Sequence, residues 1–482
     1  MKEINFDCII HIINELRNDK KTLYSCLLVN KKWCNIVVPI LWKYHPWNIY
    51  GSKRKLYNII LSFLPSTTKN ILLNIEIKLP STILTKPPLF NYLSYCEFPE
   101  PEDIDGIINM ILGRFVNVED DKYFLLEQEV YKLFVNNCKD FKNLTWKTCQ
   151  PLTSFPGAST CFSQLHSLSI DPDYANSNSL YEMSKICKGL YILSIYNCSK
   201  DHQGLVSLID AQKNLEKLNI YHNDINRRGN CQELSKALAR KGDTIKELHL
   251  DLVNNIPSSF LISLKNLKRI EIYNHETFEE TREEISELRQ YLAISEFPNL
   301  EFFNAKGITC FEEFSLLIKK TRGDLLHFLI DIKTGELFIK NTGALIKEIS
   351  IHCPNIKILY TFIESKDFIH VQSLLLNCSK LQELRFYSLN NSSNDDDDDD
   401  NVGDELLDIL SSINLISLNN ILLSEDWGYS IGALERFFES FREKNLLSFN
   451  ILHHRNFYIT DNHKEIIRKY VHEGVIRYSN FM

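Results

Sequence analysis

From about residue 136 onward one short pattern returns along the chain: an apolar residue, two variable residues, a second apolar residue, one variable residue, and a third apolar residue. It reads as Phe141/Leu144/Trp146, Leu165/Leu168/Ile170, Leu190/Leu193/Ile195, Leu215/Leu218/Ile220, Ile245/Leu248/Leu250, Leu267/Ile270/Ile272, Leu300/Phe303/Ala305 and Leu325/Phe328/Ile330. Weaker copies follow at Ile356/Leu359, Leu381/Leu384/Phe386, Leu418/Ile421/Leu423 and Leu446/Phe449/Ile451. Successive copies lie about 22 to 37 residues apart, mostly near 25, a spacing that marks stacked supersecondary units rather than one closed core. The last two apolar positions of each copy alternate with variable ones, as expected of a short strand whose side chains point to opposite faces. Between copies lie helix-like segments, among them residues 180–187, 205–211 and 231–239. A strand-helix unit cannot bury its apolar edge alone, so units stack and share one core.

This pattern resembles the leucine-rich repeat family. The resemblance implies an α/β solenoid of parallel short strands with the helices outside, curved so that the strands line its concave side. Residues such as Cys198, Asn223 and Asn274 stand where that family places Asn or Cys after the strand. A non-repeat α/β sheet is the alternative architecture. Cys138, Cys187, Cys353 and Cys378 each stand three residues before the residue that opens a copy. Cysteine is small and readily buried, so a repeated core slot accounts for them. The thirteen cysteines include no Cys-x-x-Cys pair and no Cys/His cluster at zinc spacing.

The first 45 residues differ in texture. Ile9, Ile13 and Leu16 form one apolar stripe at helical spacing, and Leu23, Cys26 and Leu27 a second, with Thr22 as its expected N-cap. Asn30, Lys31 and Lys32 interrupt the pattern, and Trp33, Ile36, Val37, Ile40 and Leu41 make a third stripe that Pro39 should bend or break. Three short helices cannot bury all these faces against one another, so some of the apolar surface needs a partner. Residues 4–42 resemble an F-box: Val29-Asn30-Lys31-Lys32-Trp33 matches its Val-x-x-x-Trp element, Leu23 the preceding leucine, and Ile12 with Leu16 its first helix. The closing Leu41-Trp42 is similar to the tail of many fungal members, and Ile4-Asn5 stands where the family opens on Leu-Pro. The resemblance implies docking on the Skp adaptor of an SCF ubiquitin ligase, through Ile9, Leu16, Leu23, Leu27, Val29 and Trp33. A helical cap on the repeats is the alternative reading of the same residues.

The expected organisation is thus an F-box-like domain over 1–45, a helical and loop-rich connecting region over 46–135, and the repeats over 136–482. Within the connecting region, residues 56–64, 104–115 and 124–134 read as helices and 72–77 as a first strand. Residues 390–404 hold six adjacent aspartates, which repel one another and solvate, so a disordered loop is expected there. Residues 431–441 and 461–470 read as helices that close the array.

The net charge of −8 owes much to that aspartate run, and no basic stripe offers a footprint for nucleic acid. No signal peptide opens the chain, and no apolar run approaches the roughly 18 residues of a membrane span, so an intracellular protein, in cytoplasm or nucleus, is expected. Phosphate-binding glycine loops, nucleophile elbows and His-Glu-x-x-His are absent from the sequence. His453 and His454 are adjacent on an expected strand and so face opposite ways, poorly placed to share a metal. No enzyme activity, metal or cofactor is therefore expected. The repeats instead offer a surface: Tyr196, Lys217, Tyr221, Glu247, His249, Asp251, Arg269, Tyr273, Phe302, Arg385 and Tyr387 occupy variable strand positions. Tyr and Arg often dominate interface energetics, which makes Tyr196, Tyr221, His249, Arg269, Tyr273, Arg385 and Tyr387 the target-binding candidates. With the F-box resemblance, the function implied is substrate recognition within an SCF-type ligase, in company with the Skp adaptor and cullin. A repeat scaffold with no link to ubiquitination is the other reading.

Overall fold

The computed structural model describes residues 5–44, 53–83, 88–113, 121–139, 141–222, 229–251, 255–274, 282–332, 341–389, 402–413, 417–442, 446–452 and 459–481. The expectations for Ile4, Asn223, His453, His454 and residues 390–401 fall outside these. The chain divides into two compact units, Met1–Leu215 and Glu216–Met482.

The first unit opens with three helices, α1 (Phe6–Glu15), α2 (Lys20–Leu27) and α3 (Lys31–Tyr44). Each begins at a side chain that takes up a free amide of the first turn. Asn5 accepts from the amide of Asp7 at 3.3 Å, Asp19 from that of Thr22 at 3.1 Å, and Asn30 from that of Trp33 at 3.0 Å. Thr22 is therefore not the cap but a first-turn residue, its hydroxyl donating to Asp19 at 2.6 Å. Asn30, far from interrupting a helix, starts one. Pro39 does not break α3, because Val37, Val38 and Leu41 on either side of it are buried and hold both halves in place.

Next come α4 (Lys53–Ser62), α5 (Ser66–Asn74), α6 (Pro101–Leu112) and α7 (Asp121–Asn137). Residues 72–77, expected as a strand, are instead the last turn of α5 and its exit. The amide of Ile77 closes back on the Leu72 carbonyl at 2.9 Å, with Glu76 at a φ of 64° making the turn. The connecting helices pack onto the first repeats: Phe98 stacks on Phe141 at 4.9 Å and meets Phe162 edge-on. That shared core is why the compact unit runs past residue 135.

The repeats follow as parallel strands in chain order. In the first unit β1 (Asn143–Trp146), β2 (Ser167–Ile170) and β3 (Ile192–Tyr196) align Leu144 with Leu168 and Leu193, and Trp146 with Ile170 and Ile195. In the second, the strands are β4 (Lys217–Tyr221), β5 (Glu247–Asp251), β6 (Arg269–Tyr273), β7 (Phe302–Lys306) and β8 (His327–Asp331). They continue with β9 (Ile358–Ile363), β10 (Glu383–Ser388), β11 (Asn420–Ser424), β12 (Leu446–Leu452) and β13 (Ile476–Tyr478). Here the second apolar position of each copy aligns as Leu218, Leu248, Ile270, Phe303, Phe328, Leu359, Leu384, Ile421 and Phe449. All of these are buried, and helices such as Phe311–Ile318 and Thr342–His352 back the strands. This is a leucine-rich-repeat-type α/β solenoid. The copy at Ile356/Leu359 reads weakly because Thr361 stands in its third apolar slot, fully buried. β13 carries no full copy of the pattern and was not anticipated.

Within each unit, polar groups also tie some repeats together. Gln212, buried after the helix Gln203–Ala211, accepts from the Leu190 amide at 3.0 Å and donates to the carbonyls of Cys187 at 2.9 Å and Leu208 at 2.8 Å. Gly204 lets that helix approach its predecessor, since a Cβ there would lie 1.8 Å from the Ser177 carbonyl oxygen. Asp404, expected in the acidic loop, lies in the helix Gly403–Ser412 and accepts from the Ser430 amide at 2.7 Å. Cys138, Cys187, Cys353 and Cys378 are all buried, in the core slots expected of them. Among the described residues no helix is long and apolar enough to cross a membrane.

Candidate interaction surfaces

Two surfaces stand out, one on the helical head and one on the strands. The head has its own core: Ile9, Ile13, Leu23, Cys26, Val37 and Leu41, with Leu16, Leu27, Trp33, Ile36, Ile40 and Trp42 packed partly against it. Ile9 and Leu23, expected to face an adaptor, are therefore core residues whose side chains are shut away by the other two helices. Leu16, Leu27 and Trp33 are half-buried at its edge. Val29 is exposed, and so are other apolar residues of the head that are not among the adaptor-facing candidates. Leu28 is 88% exposed, and Ile12 and Tyr24 are about half exposed. Tyr24 and Leu28 are four residues apart and share one side of α2. Leu28 stands bare next to Val29, and contiguous exposed apolar surface marks interaction sites.

The strand surface lies on the variable positions, which point away from the helices. In the second unit these positions form a network. The ring of His249 sits between Tyr221 and Tyr273, with centroids 4.6 and 4.8 Å away. Its Nε2 lies 3.4 Å from Asp251 and its Nδ1 3.5 Å from Glu271. Burial alone would lower the pKa of the imidazole, but the two carboxylates outweigh it and raise the value to about 9, so His249 is a cation at neutral pH. Glu271 is pulled down to about 2, first by His249 and, against burial, by Arg269 and Tyr273. Arg269 donates to Glu271 at 2.6 Å while its guanidinium lies 3.5 Å over the Phe302 ring. Asn304 donates to the Tyr273 hydroxyl at 2.9 Å.

A second cluster repeats this design farther along. Arg385 donates twice to Glu383, at 3.0 and 2.7 Å, and lies 4.1 Å over the Tyr360 ring. The Tyr360 hydroxyl donates to the same carboxylate at 2.5 Å, and Tyr387 meets Phe362 with centroids 5.0 Å apart.

The structure thus brings Tyr221, His249, Arg269 and Tyr273 into one cluster and Arg385 with Tyr387 into another. Tyr196, on β3, belongs to the first unit. Asp251 is buried rather than displayed, because it also accepts from the His222 amide at 3.1 Å. His327, Leu329 and Ile358 hold variable positions between the two clusters and Tyr360 another within the second, and none of the four is among the sequence-derived candidates. Strand register alone would have found them. Among the described residues no group of His, Cys, Asp or Glu side chains is arranged to hold a metal ion.

No family model matches the chain, and no curated protein matches it. Among solved structures, the chain is similar to one in the yeast Rad7–Elc1 complex, with 16% identity, coverage of 73% of this chain and 88% of that one, and a TM-score of 0.36. A Bacteroides fragilis protein is similar at 14% identity, with coverage of 67% and 72% and a TM-score of 0.24.

Proposed function

We propose that this chain is the substrate-recognition subunit of an SCF-type ubiquitin ligase, with the head docking on a Skp adaptor and the repeats holding a target protein. The observation that carries the reading is the bare apolar turn after α2, where Leu28 and Val29 are exposed beside a head whose core is already complete. It falls within the stretch that resembles the F-box. The repeats supply a second surface rich in tyrosine, arginine and stacked rings, the side chains that most often anchor protein interfaces. Catalysis would rest with other subunits, and this chain would act by positioning, raising the effective concentration of target lysines near the conjugating enzyme.

The test is capture by purified Skp adaptor and cullin of the full chain and of variants Leu28→Asp and Val29→Asp. Both positions are exposed, so the variants should fold and yet lose roughly tenfold or more in adaptor affinity. Retention of full adaptor affinity by both would remove the basis for this docking face, and failure of the unaltered chain to bind would end the ligase reading.

A further inference from the structure

The charges of the strand surface are spent on one another. Across β4 to β10, Lys217 pairs with Glu247 at 2.9 Å, Lys306 with Asp331 at 3.4 Å, Arg269 with Glu271, and Arg385 with Glu383. His249 lies between Asp251 and Glu271. The two arginines are further committed, each guanidinium lying over a ring of the neighbouring strand. To bind a phosphate or carboxylate, either guanidinium would have to leave its own glutamate, exchanging one charge-assisted bond for another and stranding a half-buried carboxylate.

Between the two arginine clusters two rows of the surface carry no charged side chain, and the next row holds the Lys306–Asp331 pair, whose charges offset each other. Phe302, His327 and Ile358 stand side by side in register, as do Asn304, Leu329 and Tyr360. Burial first, then the charges of Lys357 and Arg269, push the His327 imidazole below its ordinary value, so it is neutral at neutral pH. At about 4.8 Å per strand, the distance from β6 to β10 is about 19 Å, which an extended chain rising about 3.3 Å per residue crosses in about six residues.

We propose that this stretch of strand surface, from Arg269 to Arg385, binds an extended, unphosphorylated and uncharged segment of a partner protein through its apolar and aromatic side chains. The proposal rests on the substrate-receptor reading and specifies the target's chemistry: recognition needs no modification and is not steered by charge. Side chains of Phe, Tyr, Leu or Ile would lie against Leu329, Ile358 and Tyr360, with the stacked Arg269 and Arg385 as flanking walls.

The test is selection from a random-peptide display library on the immobilised full chain, with a phosphoserine-containing library in parallel. Enriched peptides should be rich in aromatic and aliphatic residues without net charge, and their affinity should change less than about twofold between about 0.05 and about 0.5 M salt. Leu329→Asp should weaken them roughly tenfold or more, as should Ile358→Thr, which keeps a β-branched residue in the strand should the first variant fail to fold. Enrichment of acidic, basic or phosphoserine peptides, steep salt dependence, or no binder sensitive to either substitution would overturn the proposal. Adaptor capture scored on the same preparation separates the two ideas. Capture without a Leu329-dependent peptide sinks this inference alone, whereas Leu329-dependent peptides without adaptor capture support it and sink the ligase coupling.

Discussion

His249 makes the second unit's stability depend on pH in a direction the structure dictates. Its folded value of about 9 stands above the ordinary 6.5, and that gap corresponds to about 3 kcal/mol at about 1.4 kcal/mol per pH unit. The side chain is 20% exposed, as is that of Glu271, so solvent screening brings the expected contribution to about 1–2 kcal/mol. Because the folded value is raised, this stability is complete below pH 6.5 and is lost as pH rises through about 9. The same contact, seen from Glu271 at about 2, is lost again as pH falls from 4.5. These are two ends of one interaction and are not added. Urea unfolding of the full chain and of His249→Gln at pH 6 and at pH 9.5 measures it. The unaltered chain should lose about 1–2 kcal/mol more than the variant over that interval. Equal losses would refute the ion pair, as would an imidazole proton resonance for His249 titrating near 6.5.

Two further outcomes follow from the core. Gln212→Leu removes three bonds at once and leaves the Leu190 amide and Cys187 carbonyl buried without that partner, so it should cost about 2–4 kcal/mol in urea unfolding. A loss under about 0.5 kcal/mol would show that the inter-repeat tie is dispensable. Burial raises the pKa of the thiols at Cys138, Cys310, Cys353 and Cys378 to about 12, so a thiol reagent at neutral pH should modify exposed Cys8 and Cys149 quickly and these four only after unfolding, as mass spectrometry of timed digests would show.

The repeat body was legible because its physics is local and periodic. Most units present two apolar strand residues at the same offset, so Leu218, Leu248 and Ile270 announce themselves, and several place a buried cysteine ahead of them, as Cys353 and Cys378 do. Where only one unit speaks, sequence fails. Residues 72–77 are a short apolar run that suits a strand or a helix end equally, and only the turn at Glu76 decides it. Cap identity fails for a similar reason, since Asp19 and Thr22 both have suitable oxygens and the fold selects the one three residues upstream. On the head, helical spacing identified the apolar stripes but could not say which residue of a wide stripe points inward. Ile9 and Leu23 turned in, and Leu28 turned out. On the strands, selection by residue type favoured Tyr and Arg and passed over Leu329 and Ile358, although the register gives all of them equal standing. Glu271 and Glu383, which neutralise the arginines, are visible only as hydrogen bonds.

In the proposed function, the head docks an adaptor through the turn that follows α2. Hydrogen exchange of the full chain, followed by mass spectrometry with and without purified Skp adaptor, tests it most directly. Exchange should slow in peptides spanning residues 24–33, with the strands β4 to β10 unchanged. Binding of adaptor with protection elsewhere, or no protection of residues 24–33 at saturating adaptor, would contradict it.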